Sequence, residues 1–146
     1  MTTRFPNRTF ALLGALFLGA AASLPAAAPA FAEGVAVPYT IKDGKGDIHL
    51  YNGYRRYGDA CLRCHGPDGS GGSYAPDLTE SLHRLSEDVF KDTVINGRIS
   101  TAKANSVMPP FGESQDVVLY LDDIYAYLKA RSDGALGRGK PERFDK

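Results

Sequence analysis

The sequence predicts a small all-α domain of three or more helices joined by long Gly/Pro-rich loops. Two observations carry that fold class. Apolar residues recur at helical spacing in three segments, and no convincing strand pattern is visible. The stretches between them, GPDGSGGSYAPD and NGRISTAKANSVMPPFGE, are dominated by Gly, Pro, Ser and Asn and read as loops.

The first helix is expected from about Asp47 to Gly58, with Asp47 as cap and Leu50, Tyr54 and Tyr57 on one face. The second begins at Ser86 as N-cap, with Glu87 and Asp88 in its positive first turn. Leu85 and Phe90 stand at the positions of a hydrophobic staple, and Asn96-Gly97 ends the helix as a left-handed cap would. The third, Asp116 to Arg131, carries the stripe Val117, Leu121, Ile124 and Leu128. Lys129 and Arg131 complement its C-terminal dipole, and Gly134 lies just beyond.

Ahead of these elements, Arg4 and Arg8 precede an uncharged apolar run, Thr9 to Leu24, and then small residues ending in Ala30-Phe31-Ala32. That order is a secretory signal peptide, expected to be cut after Ala32, with Ala28 and Ala30 as other cut points. An uncleaved anchor fits less well, because the run falls short of the roughly 20 residues of a spanning helix and meets Pro25. The expected organisation is a leader at 1–32, an extension at 33–46, the domain at 47–133 and a mobile tail at 134–146. The tail is charged and Gly-rich, a solvated terminus that could also help docking.

Losing Arg4 and Arg8 with the leader turns a formal charge of zero into a small acidic excess, which argues against nucleic acid as partner. No second long apolar segment follows, so membrane contact is expected to be transient only. Export to the periplasm would bring an oxidising compartment, where the two cysteines could simply pair.

Those cysteines lie in Cys61-Leu62-Arg63-Cys64-His65, and they are the only ones in the chain. A structural zinc site needs four ligands, and only His49 and His83 remain elsewhere as isolated candidates. A thioredoxin-like pair would sit beside a βαβ pattern that is not visible and leaves His65 unexplained, as does a plain disulfide. Cys-x-x-Cys-His as a c-type haem attachment site uses all three groups. Cys61 and Cys64 would form thioethers with one haem, and His65 would be the proximal iron ligand.

The opposite face of the iron needs a second ligand if the centre is six-coordinate. Met108 is the only methionine left beyond the leader, and Pro109 and Pro110 stiffen the segment behind it. A core-filling methionine is the alternative, and His49 and His83 are the rival sixth ligands.

Together these residues resemble a class I c-type cytochrome over about Asp47 to Arg131. Gly53 and Tyr57 lie eight and four residues before the first cysteine, where that family has a glycine and an aromatic crossing the C-terminal helix. Ile124 and Tyr127 look like the facing residues. The segment Ala75-Pro76-Asp77-Leu78 is similar to the family's proline-x-leucine. By that resemblance the Pro76 carbonyl would orient His65, and Leu78 would cover the porphyrin. No tryptophan is present to meet the haem propionates, which leaves Arg98, Tyr74 and Tyr51 as candidates. The blocks YNGYRRYGDACLRCHGPDGSGGSYAPDL, NGR, SVMPPFG and YLDDIYAYLKARSDGALGRG further resemble periplasmic cytochromes that serve PQQ-dependent alcohol dehydrogenases, methanol dehydrogenases included.

The resemblance implies a small cytochrome c fold around one covalently bound haem c. It implies a monomeric one-electron carrier, not an enzyme, between such a dehydrogenase and a further cytochrome or terminal oxidase. Lys103, Arg63 and acidic residues near Asp68 are candidates for steering partners. The alternatives are a haem subunit of a dehydrogenase complex, or a haem sensor or peroxidase with a dissociable Met108.

Overall fold

A computed structural model describes residues 37–100 and 106–146. The expected leader and its cut points, with Lys103 of the second loop, lie outside them.

The described chain opens with a small hairpin that the periodicity did not predict. Strand β1 (Ile41–Lys42) pairs antiparallel with β2 (Lys45–Gly46) through Asp43-Gly44, both at positive φ, 50° and 73°. Asp-Gly is the signature of that two-residue turn, but strands of two residues are too short to show alternation. Helix α1 (Ile48–Ala60) follows, with the Asp47 carboxylate accepting from the Leu50 amide at 3.0 Å as the cap expectation required. It runs directly into α2 (Leu62–His65) and a 3₁₀ turn, Pro67–Gly69.

A glycine-rich loop leads to α3 (Leu78–Ser81), capped by Asp77, which accepts from the Thr79 amide at 2.7 Å and the Glu80 amide at 3.2 Å. Helix α4 (Glu87–Asn96) has Ser86 as its cap and buries Phe90 and Val94. Its end departs from the expected left-handed cap. Gly97 has φ 73° but ψ −179°, a conformation open essentially to glycine alone, and the chain leaves extended into β3 (Arg98–Ser100). That strand pairs with β4 (Ser106–Met108), so a second hairpin stands where a plain loop was expected.

The third expected helix is two. Helix α5 (Gln115–Leu119) and α6 (Leu121–Ser132) meet at Tyr120, whose φ −111° and ψ 20° leave the helical region. Neither Gly nor Pro marks the break. It is held from α1: the Arg56 guanidinium lies over the Tyr120 ring at 4.7 Å and pairs with Asp116 at 3.5 Å.

All four residues of the expected stripe are buried. Helix α6 also buries Tyr125, Ala126 and Tyr127, so it is the central helix of the core, not a surface one. It crosses α1 at Gly53. A Cβ there would lie 1.9 Å from the Asp123 carbonyl oxygen, so only glycine permits this approach. The Tyr127 ring then packs 5.7 Å from both Tyr54 and Tyr57. On the other side, α4 reaches α6 through Phe90 and Tyr125, with ring centroids 5.3 Å apart.

The segment after Gly134, expected to be free, lies against the domain. Leu136 is buried in the core cluster. The Gly46 amide bonds the Glu142 carbonyl at 2.9 Å, the Phe144 amide bonds the Gly46 carbonyl at 3.1 Å, and Asp145 accepts from the Ile48 amide at 2.9 Å. Among the described residues no helix is long and apolar enough to cross a membrane.

A candidate haem-binding site

The Cys-x-x-Cys-His residues wind one tight turn at the end of α1. The Cys61 amide still bonds the Tyr57 carbonyl at 2.9 Å, and the Cys61 carbonyl accepts from the amides of Cys64 at 3.1 Å and His65 at 3.0 Å. This places two thiols and an imidazole along one stretch of helix, which is the arrangement a planar ring tethered at two points and ligated from below requires. Cys61 and Cys64 are not joined to each other. Burial pushes the Cys61 thiol up to about 11, and Cys64 adds to the shift.

His65 is only 7% exposed, and its Nδ1 lies 3.0 Å from the Pro76 carbonyl oxygen. A carbonyl can only accept, so Nδ1 carries the proton and Nε2 is the basic nitrogen, the one suited to a metal. The glycine loop makes that contact possible. A Cβ on Gly66 (φ 72°) would meet the Gly71 carbonyl at 2.3 Å, and one on Gly71 (φ 79°) would meet the Asp77 amide nitrogen at 2.7 Å. The Gly71 amide bonds the His65 carbonyl at 2.7 Å, folding the segment before Pro76 back onto the imidazole. Leu78 follows at the start of α3, half-buried against the core.

Met108 ends β4 directly opposite Arg98, and its side chain packs partly against the core. The backbone around it is fixed on both flanks. Upstream it is paired to β3; downstream the Phe111 amide bonds the Val94 carbonyl and the Gly112 amide the Ile95 carbonyl, each at 3.0 Å. Gly97 lies against this segment so closely that a Cβ would meet the Met108 carbonyl at 2.6 Å.

Of the rival histidines, His49 is engaged elsewhere. His49 is 2.9 Å from the Asp123 carboxylate, whose hydrogen bond and charge raise its pKa, and His83 is exposed beside α3. Arg98 and Tyr74 are exposed, whereas Tyr51 lies beneath the tail, with Lys140 over its ring at 5.6 Å. Asp68 is not a surface charge available to a partner: it is 8% exposed and held by internal donors.

The described residues contain no cluster of three or more His, Cys, Asp or Glu able to hold a metal ion by side chains alone. The donor set present is paired thiols, an Nε2 and a thioether. It fits a haem, which brings four nitrogens of its own, and does not fit a zinc ion. What sequence reasoning missed is the backbone: Gly66, Gly71 and Gly97 carry close approaches that read only as loop or helix-stop signals.

Comparison with known proteins agrees with this chemistry. The family model described as cytochrome c oxidase, cbb3-type, subunit III matches residues 50–128. Cytochrome c-553I of Paracoccus denitrificans is 44% identical over 118 residues, 79% of this chain but 52% of that protein, so the chain spans about half its length. Cytochrome c-555 of Methylococcus capsulatus is 39% identical over 132 residues, 90% of this chain and 89% of that one. The crystal structure of the c-type cytochrome XoxG from Methylobacterium extorquens AM1 superposes with a TM-score of 0.66 at 48% identity, covering 72% of this chain and 65% of that one. These relatives are electron-transfer cytochromes rather than enzymes, and haem c is the cofactor their family implies. The chain belongs to the family so described and is a class I c-type cytochrome of the kind that includes c-555 and XoxG.

Proposed function

We propose that this cytochrome is a periplasmic, monomeric carrier of single electrons with one covalently attached haem. It takes electrons from a PQQ-dependent alcohol dehydrogenase, methanol dehydrogenase included, and passes them to a further cytochrome or terminal oxidase. Cys61 and Cys64 tether the group, while His65 Nε2 and the Met108 thioether hold the iron. When bound, the haem supplies a one-electron couple whose potential a methionine partner raises.

The observation that carries this reading is the 3.0 Å contact between His65 Nδ1 and the Pro76 carbonyl. It orients the ring, assigns its tautomer and strengthens Nε2 as a donor. The Met108 segment, clamped by α4 and braced by two prolines, supplies a neutral partner that need not move between redox states. Arg98, exposed across from Met108, would meet a carboxylate such as a propionate. Support for the dehydrogenase rests on the sequence blocks quoted above, and export rests on the leader.

Mixing the purified cytochrome with candidate dehydrogenases and their alcohols tests the partner: the reduced α-band should appear with a PQQ enzyme. Reduction by an unrelated donor alone overturns that assignment and leaves the carrier role intact. Met108→Ala should lose the ferric sulfur-to-iron band and lower the potential. An unchanged ferric spectrum and potential would exclude Met108 as ligand.

A further inference from the structure

Asp68 is a buried carboxylate that the site described above does not use. It follows His65 by three residues, in the turn Pro67–Gly69, and has the positive φ of 59° that aspartate tolerates better than most residues. Its Oδ1 accepts from the Gly139 amide at 3.0 Å and the Tyr127 hydroxyl at 3.3 Å. Its Oδ2 accepts from Arg138 Nε at 3.2 Å and lies 4.0 Å from the Arg131 guanidinium. Burial, and then the Asp68 charge, raise the pKa of Tyr127, which keeps that hydroxyl a donor.

The turn is therefore gripped from several directions. Helix α6 supplies Tyr127 and Arg131, the C-terminal tail supplies Arg138 and Gly139, and α1 holds the preceding residue through Tyr57 Oη to the Gly66 carbonyl at 2.5 Å. Arg131 also donates to the Leu136 carbonyl at 2.8 Å, which ties the tail to the same node. A buried carboxylate is tolerable only when its donors are this complete, because its desolvation must be offset. The Pro76 carbonyl holds the imidazole, and the backbone that carries it depends on the 66–71 turn.

We propose that Asp68 is a positioning residue for His65, and that the tail is a strap which, through Arg138 and Gly139, sets the stiffness of the loop carrying the iron ligand. This rests on the haem reading of the site. Without the strap the turn retains only its α1 and α6 anchors, and the freedom of the imidazole increases. Potential then changes through the ligand's position and not through a new contact to the cofactor.

Asp68→Ala would strand the buried Arg131 and could abolish folding, so the informative variants cut the tail side alone. Arg138 is 68% exposed, and Arg138→Gln keeps the stem of the side chain while removing the guanidinium charge that faces Asp68. In the full-length, haem-loaded protein, R138Q should accelerate amide exchange at Gly69 and Gly71 at least tenfold and shift the reduction potential. Exchange at Phe90 and Val94 in α4 should stay as in wild type, and Arg138→Lys should restore most of the loss. Truncation after Gly137 should act in the same direction. Wild-type loop exchange and potential in R138Q, or acceleration equal in α4 and the loop, would overturn the strap while haem attachment stands. A wild-type protein lacking covalent haem on Cys61 and Cys64 would overturn the haem reading itself, and the strap's role toward iron with it.

Discussion

The two flanks of the site are held by different means. On the His65 flank, side chains add to the glycine-fixed backbone: Tyr57, Tyr127, Arg131 and Asp68 converge on one turn, and the imidazole has its own acceptor. On the Met108 flank the anchors are backbone: strand pairing to β3, two amide bonds to the end of α4, and the close approach of Gly97. Side-chain anchors can be removed one at a time with graded effect. A backbone clamp fails through glycine, where any added Cβ has no room.

The largest effect should come from Gly53→Leu, which strikes beneath both flanks. The Asp123 carbonyl and the Tyr127 Cβ occupy the space a side chain would need, so the variant should lose about 3 kcal/mol or more. Chemical denaturation checks this, and unaltered stability would remove the α1–α6 crossing as the common support. Gly97→Ala is next and separates the flanks. Its backbone conformation and the Met108 carbonyl oppose a methyl group, at a cost of about 1–3 kcal/mol. Haem should stay attached to Cys61 and Cys64 while the ferric sulfur-to-iron band weakens; loss of both together would mean the flanks are not independent.

The smallest effect belongs to His49→Gln, which touches neither flank. Asp123 raises the His49 pKa by hydrogen bond and then by charge. Its stabilisation is therefore fully present below the unfolded value of about 6.5 and is lost as pH rises through the higher folded value. His49 is largely exposed, so less than about 1 kcal/mol is at stake. Denaturation midpoints of wild type and variant should differ at about pH 5.5 and converge near about pH 9; a constant gap would show that packing, not charge, links the pair.

Legibility in the sequence followed the same division. Asp47 and Ser86 were readable as caps because the bond they make is local, and the α6 stripe because periodicity is local too. Cys61, Cys64, His65 and Met108 stood out by rarity and spacing, before any contact was known. The break at Tyr120 was invisible because its cause, Arg56, lies on another helix. Asp68 looked like a surface acid because Arg131 and Arg138 come more than sixty residues later. Gly97 read as a stop signal, although its main partner is the chain returning from Met108.

The Gly53–Asp123 crossing also has a kinetic meaning. It closes a ring of chain that contains the whole site, from Cys61 through Pro76 to Met108. Closing so long a ring carries an entropy cost that no local contact offsets in advance, and the event waits until α6 exists. The segments that carry Cys61, Cys64 and Met108 are enclosed by one late long-range docking, and any change that slows it leaves them exposed for the same interval.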